Sequence, residues 1–70
     1  MKLPDSLIDL GCTLGESEDE QVIRIWQVSS YWKCAVVFRG QMYIHVGNSP
    51  EIALEYLARE ILYDIDNDII

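Results

Sequence analysis

The chain has 70 residues, with 12 acidic against 5 basic side chains and a formal net charge of −7 at pH 7. That length suits one small domain with a marginal core, and with half the residues hydrophobic the chain is not a disordered one. So negative a chain does not wrap nucleic acid as a whole, and it has no apolar run near the ~18 residues a membrane span needs.

The opening M-K-L-P-D lacks the long apolar segment of an export signal. The expectation is therefore a cytoplasmic protein whose two cysteines, Cys12 and Cys34, stay reduced. Their separation matches no metal or redox spacing.

In chain order, residues 4–10, P-D-S-L-I-D-L, predict a short helix closed by Gly11, with Leu7, Ile8 and Leu10 tucked against the core. Cys12-Thr13-Leu14 reads as extended. Gly15 and the acid run Glu16-Ser17-Glu18-Asp19-Glu20 read as a solvated loop.

Gln21 to Val28, rich in β-branched residues, predicts the first strand, and Ser29-Ser30 a turn. Trp32 to about Val37 predicts the second strand and Gln41 to Val46 the third. A three-residue loop, Phe38-Arg39-Gly40, would pair Val36 with Met42, Cys34 with Ile44 and Trp32 with Val46. Those six residues, joined by Ile23 and Ile25, would then form the buried face of the sheet. The opposite face would collect Arg24, Trp26, Lys33, Ala35, Val37, Gln41, Tyr43 and His45, with Arg39 at its edge.

Ser49 to Tyr63 predicts the one long helix. Ser49 caps it, Pro50 suits its first position, and Glu51 meets the positive end of its dipole. Leu54, Leu57, Ala58, Ile61 and Ile65 fall on one face. Burial of the four large side chains contributes roughly 6–12 kcal/mol in gross terms. Ile52, Tyr56 and Tyr63, with Arg59 between them, line up on the back, where a helix facing only water would carry charges.

The expected architecture is thus α+β: a three-stranded antiparallel meander with one long C-terminal helix across one face and a short N-terminal helix, in α-β-β-β-α order, as a single domain over residues 1–70.

Chemistry-bearing patterns are sparse. In the expected register Cys34 points into the core and His45 to the other face, so they form no nucleophile–base pair. His45 is the only histidine and lacks the companions of a metal site. Asp64-Ile65-Asp66-Asn67-Asp68 opens like a calcium loop, but Ile69 stands where the loop needs glycine, and the closing glutamate is absent. No catalytic, cofactor-binding or metal-binding residue is expected.

The element order resembles that of the double-stranded-RNA-binding domain, and G-N-S-P-E-I-A-L-E-Y-L-A lies where that family starts its helix. This implies the same order of helices and strands. It does not imply RNA binding, because Pro50, Glu51 and Leu54 stand where the family's basic helix-start motif has lysines. The stretch G-N-S-P-E-I-A-L-E-Y-L also resembles the helix opening of small HicB-type antitoxins, in capping and helix chemistry.

The expected function is that of a non-enzymatic, small acidic interaction or regulatory protein, homodimeric, with the character of a bacterial, phage or mobile-element accessory protein. Its interface residues are expected to be Ile52, Tyr56, Arg59 and Tyr63 on the helix, or Arg24, Trp26 and Tyr43 on the sheet face. One alternative is a mimic of nucleic-acid charge, using the acids at 16–20 and 64–68 against a nucleic-acid-binding protein. A second is weak nucleic-acid binding through the aromatic and basic sheet face.

Overall fold

A computed structural model describes residues 3–14 and 22–70. The acid run at 16–20 lies outside the described residues. The elements are α1 (Asp5–Asp9), β1 (Thr13–Leu14), β2 (Val22–Val28), β3 (Tyr31–Phe38), β4 (Gln41–Gly47) and α2 (Pro50–Asp66). Strands β2, β3 and β4 form the expected antiparallel meander, and α2 packs across one face of β3 and β4. Thr13 and Leu14 add a short parallel strand beside Val22 and Ile23, so the sheet order is β1-β2-β3-β4.

The helix ends follow from side-chain chemistry. Ser49 Oγ accepts from the Ile52 N–H at 3.2 Å, and Pro50 occupies the first helical position. At the end of α1, Gly11 adopts φ 84. The N–H groups of Gly11 and Cys12 donate to the Ile8 and Leu7 carbonyls, which closes α1 in a Schellman motif. The same motif closes α2: Asp68, at φ 57, donates to Ile65 and Ile69 donates to Asp64.

The core holds Leu7, Cys12, Ile23, Cys34, Val36, Phe38 and Tyr43 together with Ala53, Leu54, Leu57, Ala58 and Ile61 of α2. Leu3, Leu10, Ile25, Ile65 and Ile70 pack around it. The expected stripe of α2 is therefore the buried one, and the helix runs a turn beyond Tyr63, which brings Ile65 onto it. Ile8 does not tuck in as expected. It sits one residue past the buried Leu7 on a helix of five residues, which turns it to solvent.

The register of β3 and β4 differs from the expected one by one residue. The hairpin has a two-residue turn, Arg39-Gly40, with φ 50 and φ 80. Both central residues are left-handed, as a type I′ turn requires. The closing pair is Phe38↔Gln41, followed by Val37↔Met42, Val36↔Tyr43, Ala35↔Ile44 and Cys34↔His45. Phe38 thereby leaves the loop it was expected to occupy and enters the core, where it is 1% exposed. The slip turns Tyr43 and His45 toward α2 and sends Met42, Ile44 and Val46 to the other side of the sheet.

Gly47 marks the closest approach of β4 to the helix start. A Cβ there would lie 2.7 Å from the Ala53 backbone nitrogen and 2.8 Å from Ile52 Cγ2. Gly47→Ala should therefore destabilise by about 1–3 kcal/mol, and Ile61→Ala by about 2–5 kcal/mol through the cavity it leaves. Chemical denaturation of the two variants checks both values.

Candidate interaction surfaces

The side of the sheet away from α2 is bare among the described residues. Its rows are Val28↔Tyr31, Trp26↔Lys33↔Val46, Arg24↔Ala35↔Ile44 and Val37↔Met42. Met42 is 62% exposed, and Ile44 and Val46 are each 48% exposed. Trp26 and Tyr31 are also exposed, and among the described residues no element lies over them. Ala35, the smallest side chain of the set, is hidden between its neighbours Arg24 and Ile44. The face carries two charges, Arg24 and Lys33, and the Lys33 ammonium lies 5.9 Å from the Trp26 ring centre.

Trp26 and Arg24 thus stand where the sequence placed them. Tyr43 does not: it is 3% exposed and faces α2. The two-residue turn decides this, because it reverses the parity of every β4 side chain. The residues that reasoning from sequence missed on the bare face are Met42, Ile44 and Val46. The signal for them was Arg-Gly read as a complete turn, with the aromatic Phe38 before it claiming a core position.

The polar groups that β4 turns inward find partners on α2. Tyr43 Oη donates to Asp64 Oδ2 at 2.7 Å, and His45 Nε2 lies 3.0 Å from Glu60 Oε2. Asp64 and Glu60 are four residues apart on one flank of the helix, and Ile52, Tyr56 and Tyr63 share that flank. Ile52 confirms the placement, since its Cγ2 approaches Gly47 of β4. The apolar row expected on the back of α2 thus begins at Ile52 beside β4 and continues through Tyr56 and Tyr63 on the exposed side of the helix. Arg59 lies further round, 3.8 Å from Glu55 and with its guanidinium 5.9 Å from the Tyr56 ring centre. The opposite flank of α2 is not bare in the same way: Pro4 and Ser6 line a shallow groove there with Glu55, Ala58, Arg59 and Leu62.

The slip also brings Cys34 and His45 onto one face as cross-strand neighbours, contrary to the expectation that they lie on opposite sides. Shared placement does not make them a reactive pair. Cys34 is fully buried, its Sγ donates to the Ala53 carbonyl at 3.3 Å, and burial pushes its thiol up. A protonated thiol without access to solvent is a poor nucleophile. Cys12 is likewise buried and pushed up. The aspartates 64–68 do not gather as a calcium loop: Asp64 and Asp66 are helical, and Asp64 is engaged by Tyr43.

Burial first, then the hydrogen bond to Asp64 and the charges of Asp64 and Glu60, push the Tyr43 hydroxyl from 10.0 up to about 12. The folded state holds this proton more tightly than the unfolded chain does. Its stabilising contribution is therefore complete below pH 10 and lost as the pH rises towards 12. In a titration followed by tyrosinate absorbance, one of the four tyrosines should ionise late, and Tyr43→Phe should remove that late step. The same variant should lose about 1 kcal/mol at neutral pH.

No helix is long and apolar enough to cross a membrane, among the described residues. Comparison of the chain with protein-family models, with curated proteins and with solved structures gives no match.

Proposed function

We propose that this chain is a non-enzymatic interaction protein, a small acidic regulatory or accessory subunit that works by binding protein, with itself as one partner. The observation that carries this reading is the row Met42, Ile44 and Val46. It is about half exposed or more, and it stands beside Trp26 and Tyr31 on a face that no element covers among the described residues. Aliphatic residues in alternation on an antiparallel strand normally mark its buried side. Among the described residues that side has no second layer, and a patch of this kind marks a site of association.

The non-enzymatic part of the reading is supported by the state of the reactive groups. Both thiols are buried and pushed up, and the imidazole is engaged by Glu60. A cytoplasmic setting goes with the reading, since it leaves Cys12 and Cys34 as thiols. Nucleic acid is opposed as a partner by the net charge of −7. On the sheet face Tyr43 and His45 have gone to the other side, Trp26 remains and Tyr31 joins it.

Binding and folding should separate cleanly on this surface. Met42→Lys combined with Ile44→Lys should change stability by no more than about 1 kcal/mol, because both side chains are about half exposed or more and a lysine there keeps its ammonium in water. The same double variant should weaken association, whether measured by sedimentation of the chain alone or against a partner isolated with the wild-type protein, by tenfold or more. Equal binding by the double variant and the wild type would overturn the reading.

A further inference from the structure

The free edge of β4 is the second unguarded feature of the sheet, and it can be specified residue by residue. With Phe38↔Gln41 closing a two-residue turn, the pairs Phe38↔Gln41, Val36↔Tyr43 and Cys34↔His45 exchange hydrogen bonds within the hairpin. Met42, Ile44 and Val46 therefore turn their N–H and C=O groups outward, and among the described residues these groups have no backbone partner.

Edge strands of monomeric proteins are blunted by lysines, prolines, bulges or a covering element. Among the described residues strand β4 has none of these. Its seven residues carry no Lys, Arg, Asp, Glu or Pro, and its register against β3 is unbroken. The opposite edge is guarded differently: β1 pairs with Val22 and Ile23, and the stretch of β2 beyond it carries the charge of Arg24.

We infer that β4 is a self-association edge, on which a second copy of this chain adds its own β4 antiparallel to form one continuous sheet. The inference rests on the interaction reading above and names the partner and the register. A two-fold axis through Ile44 sets Ile44 against its own copy and Met42 against the partner's Val46. This register lets all three outward-facing residues exchange hydrogen bonds, and any other even shift leaves one of them unpaired.

The same operation accounts for the apolar row on α2. Adjacent strands lie about 4.8 Å apart, and α2 lies over β3 and β4. The two α2 axes then run roughly 10–12 Å apart, close to the packing distance of helices. The side chains between them are Ile52, Tyr56 and Tyr63, the exposed apolar row of that flank, together with Glu60 and Asp64, whose carboxylates His45 and Tyr43 already engage.

Charge separates this arrangement from a face-to-face dimer. Two bare faces in contact would bring Arg24 and Lys33 into a buried layer of like charges, whereas β4 itself carries no formal charge and the acids beside it, Glu60 and Asp64, each have a partner within their own chain. The interface is a strip about 24 Å long and two layers deep, which falls at the small end of stable interfaces. Association is therefore expected to be reversible and concentration-dependent.

The test combines amide hydrogen exchange with sedimentation of the full chain. On raising the concentration through the association range, the amides of Met42, Ile44 and Val46 should slow by tenfold or more. Those of Tyr43 and His45, already bonded to β3, should be slow throughout. Ile44→Pro removes an outward N–H without breaking a ladder bond and should abolish self-association with its melting temperature kept. Ile44→Lys, which sets two cations opposite each other, should weaken self-association at least tenfold and covers the case in which the proline variant fails to fold. Trp26→Ser, two strands away, should leave it unchanged.

Self-association that survives both Ile44 variants, or amides 42, 44 and 46 that stay fast in the associated state, would overturn the edge. If Trp26→Ser alone abolished association, the edge would be replaced by the sheet face while the interaction reading stood. A chain that stays monomeric at every concentration would overturn the edge, leaving the reading to its separate test against a different protein.

Discussion

The arrangement of every exposed surface depends on two backbone angles. Arg39 and Gly40 both adopt positive φ, at 50 and 80, and so the β3–β4 hairpin turns in two residues. For Gly40 this conformation is free of Cβ strain, while for Arg39 it costs about 1–2 kcal/mol. The gain on the other side is larger. Phe38 becomes the last ladder residue and is buried, worth about 1.5–3 kcal/mol, and its ring still lies 5.2 Å from the Arg39 guanidinium. A three-residue loop would have relaxed Arg39 and left Phe38 at the tip of the hairpin.

Once that turn is set, the identity of each β4 side chain becomes a constraint on α2. Tyr43 and His45 point at the helix, and neither belongs in an apolar layer without a partner. Asp64 and Glu60 supply the partners, four residues apart on the flank that overhangs β4. This accounts for Asp64 near the C-terminal end of α2, where the helix dipole disfavours a carboxylate and no basic residue sits in the last turn. The hydroxyl of Tyr43 offsets that disadvantage locally. The price of this solution is that the aliphatic row of β4 is turned away from α2, the long helix that could have covered it.

The α-β-β-β-α order, the cap and stripe of α2, the glycine end of α1 and the β2–β3 pairing were all legible in the residues. Each is written in a local pattern: Ser49-Pro50, the spacing of Leu54, Leu57 and Ile61, the left-handed Gly11. What was not legible was a matter of parity. The loop of two or three residues at Phe38-Arg39-Gly40 uses the same glycine, and both versions give a sensible hairpin. The rule that apolar rows go inward favoured Met42, Ile44 and Val46 over Tyr43 and His45. It failed because the inward groups on β4 could be satisfied by carboxylates on a distant helix, which no local window contains. The two-residue parallel strand β1 has too little sequence to announce itself.

That failure carries information of its own, because the aliphatic row remains a row that belongs out of water. Completing the burial of Met42, Ile44 and Val46 would gain only about 2–4 kcal/mol, given that each is already partly covered. Bringing two molecules together costs at least about 4 kcal/mol in lost freedom. The row by itself therefore cannot hold a partner, and neither can three pairs of backbone groups or three side chains on a helix. All of these features lie along the same strand: the row projects from one side of β4, the unpaired amides from its edge, and Ile52 approaches its other side, with Tyr56 and Tyr63 continuing that row on α2. An occupant that engages β4 along its length meets all of them in one event, so the cost in lost freedom is incurred once against their sum. A ligand that touched the bare face alone, near Trp26, would face that cost with a fraction of the gain and with Lys33 to desolvate.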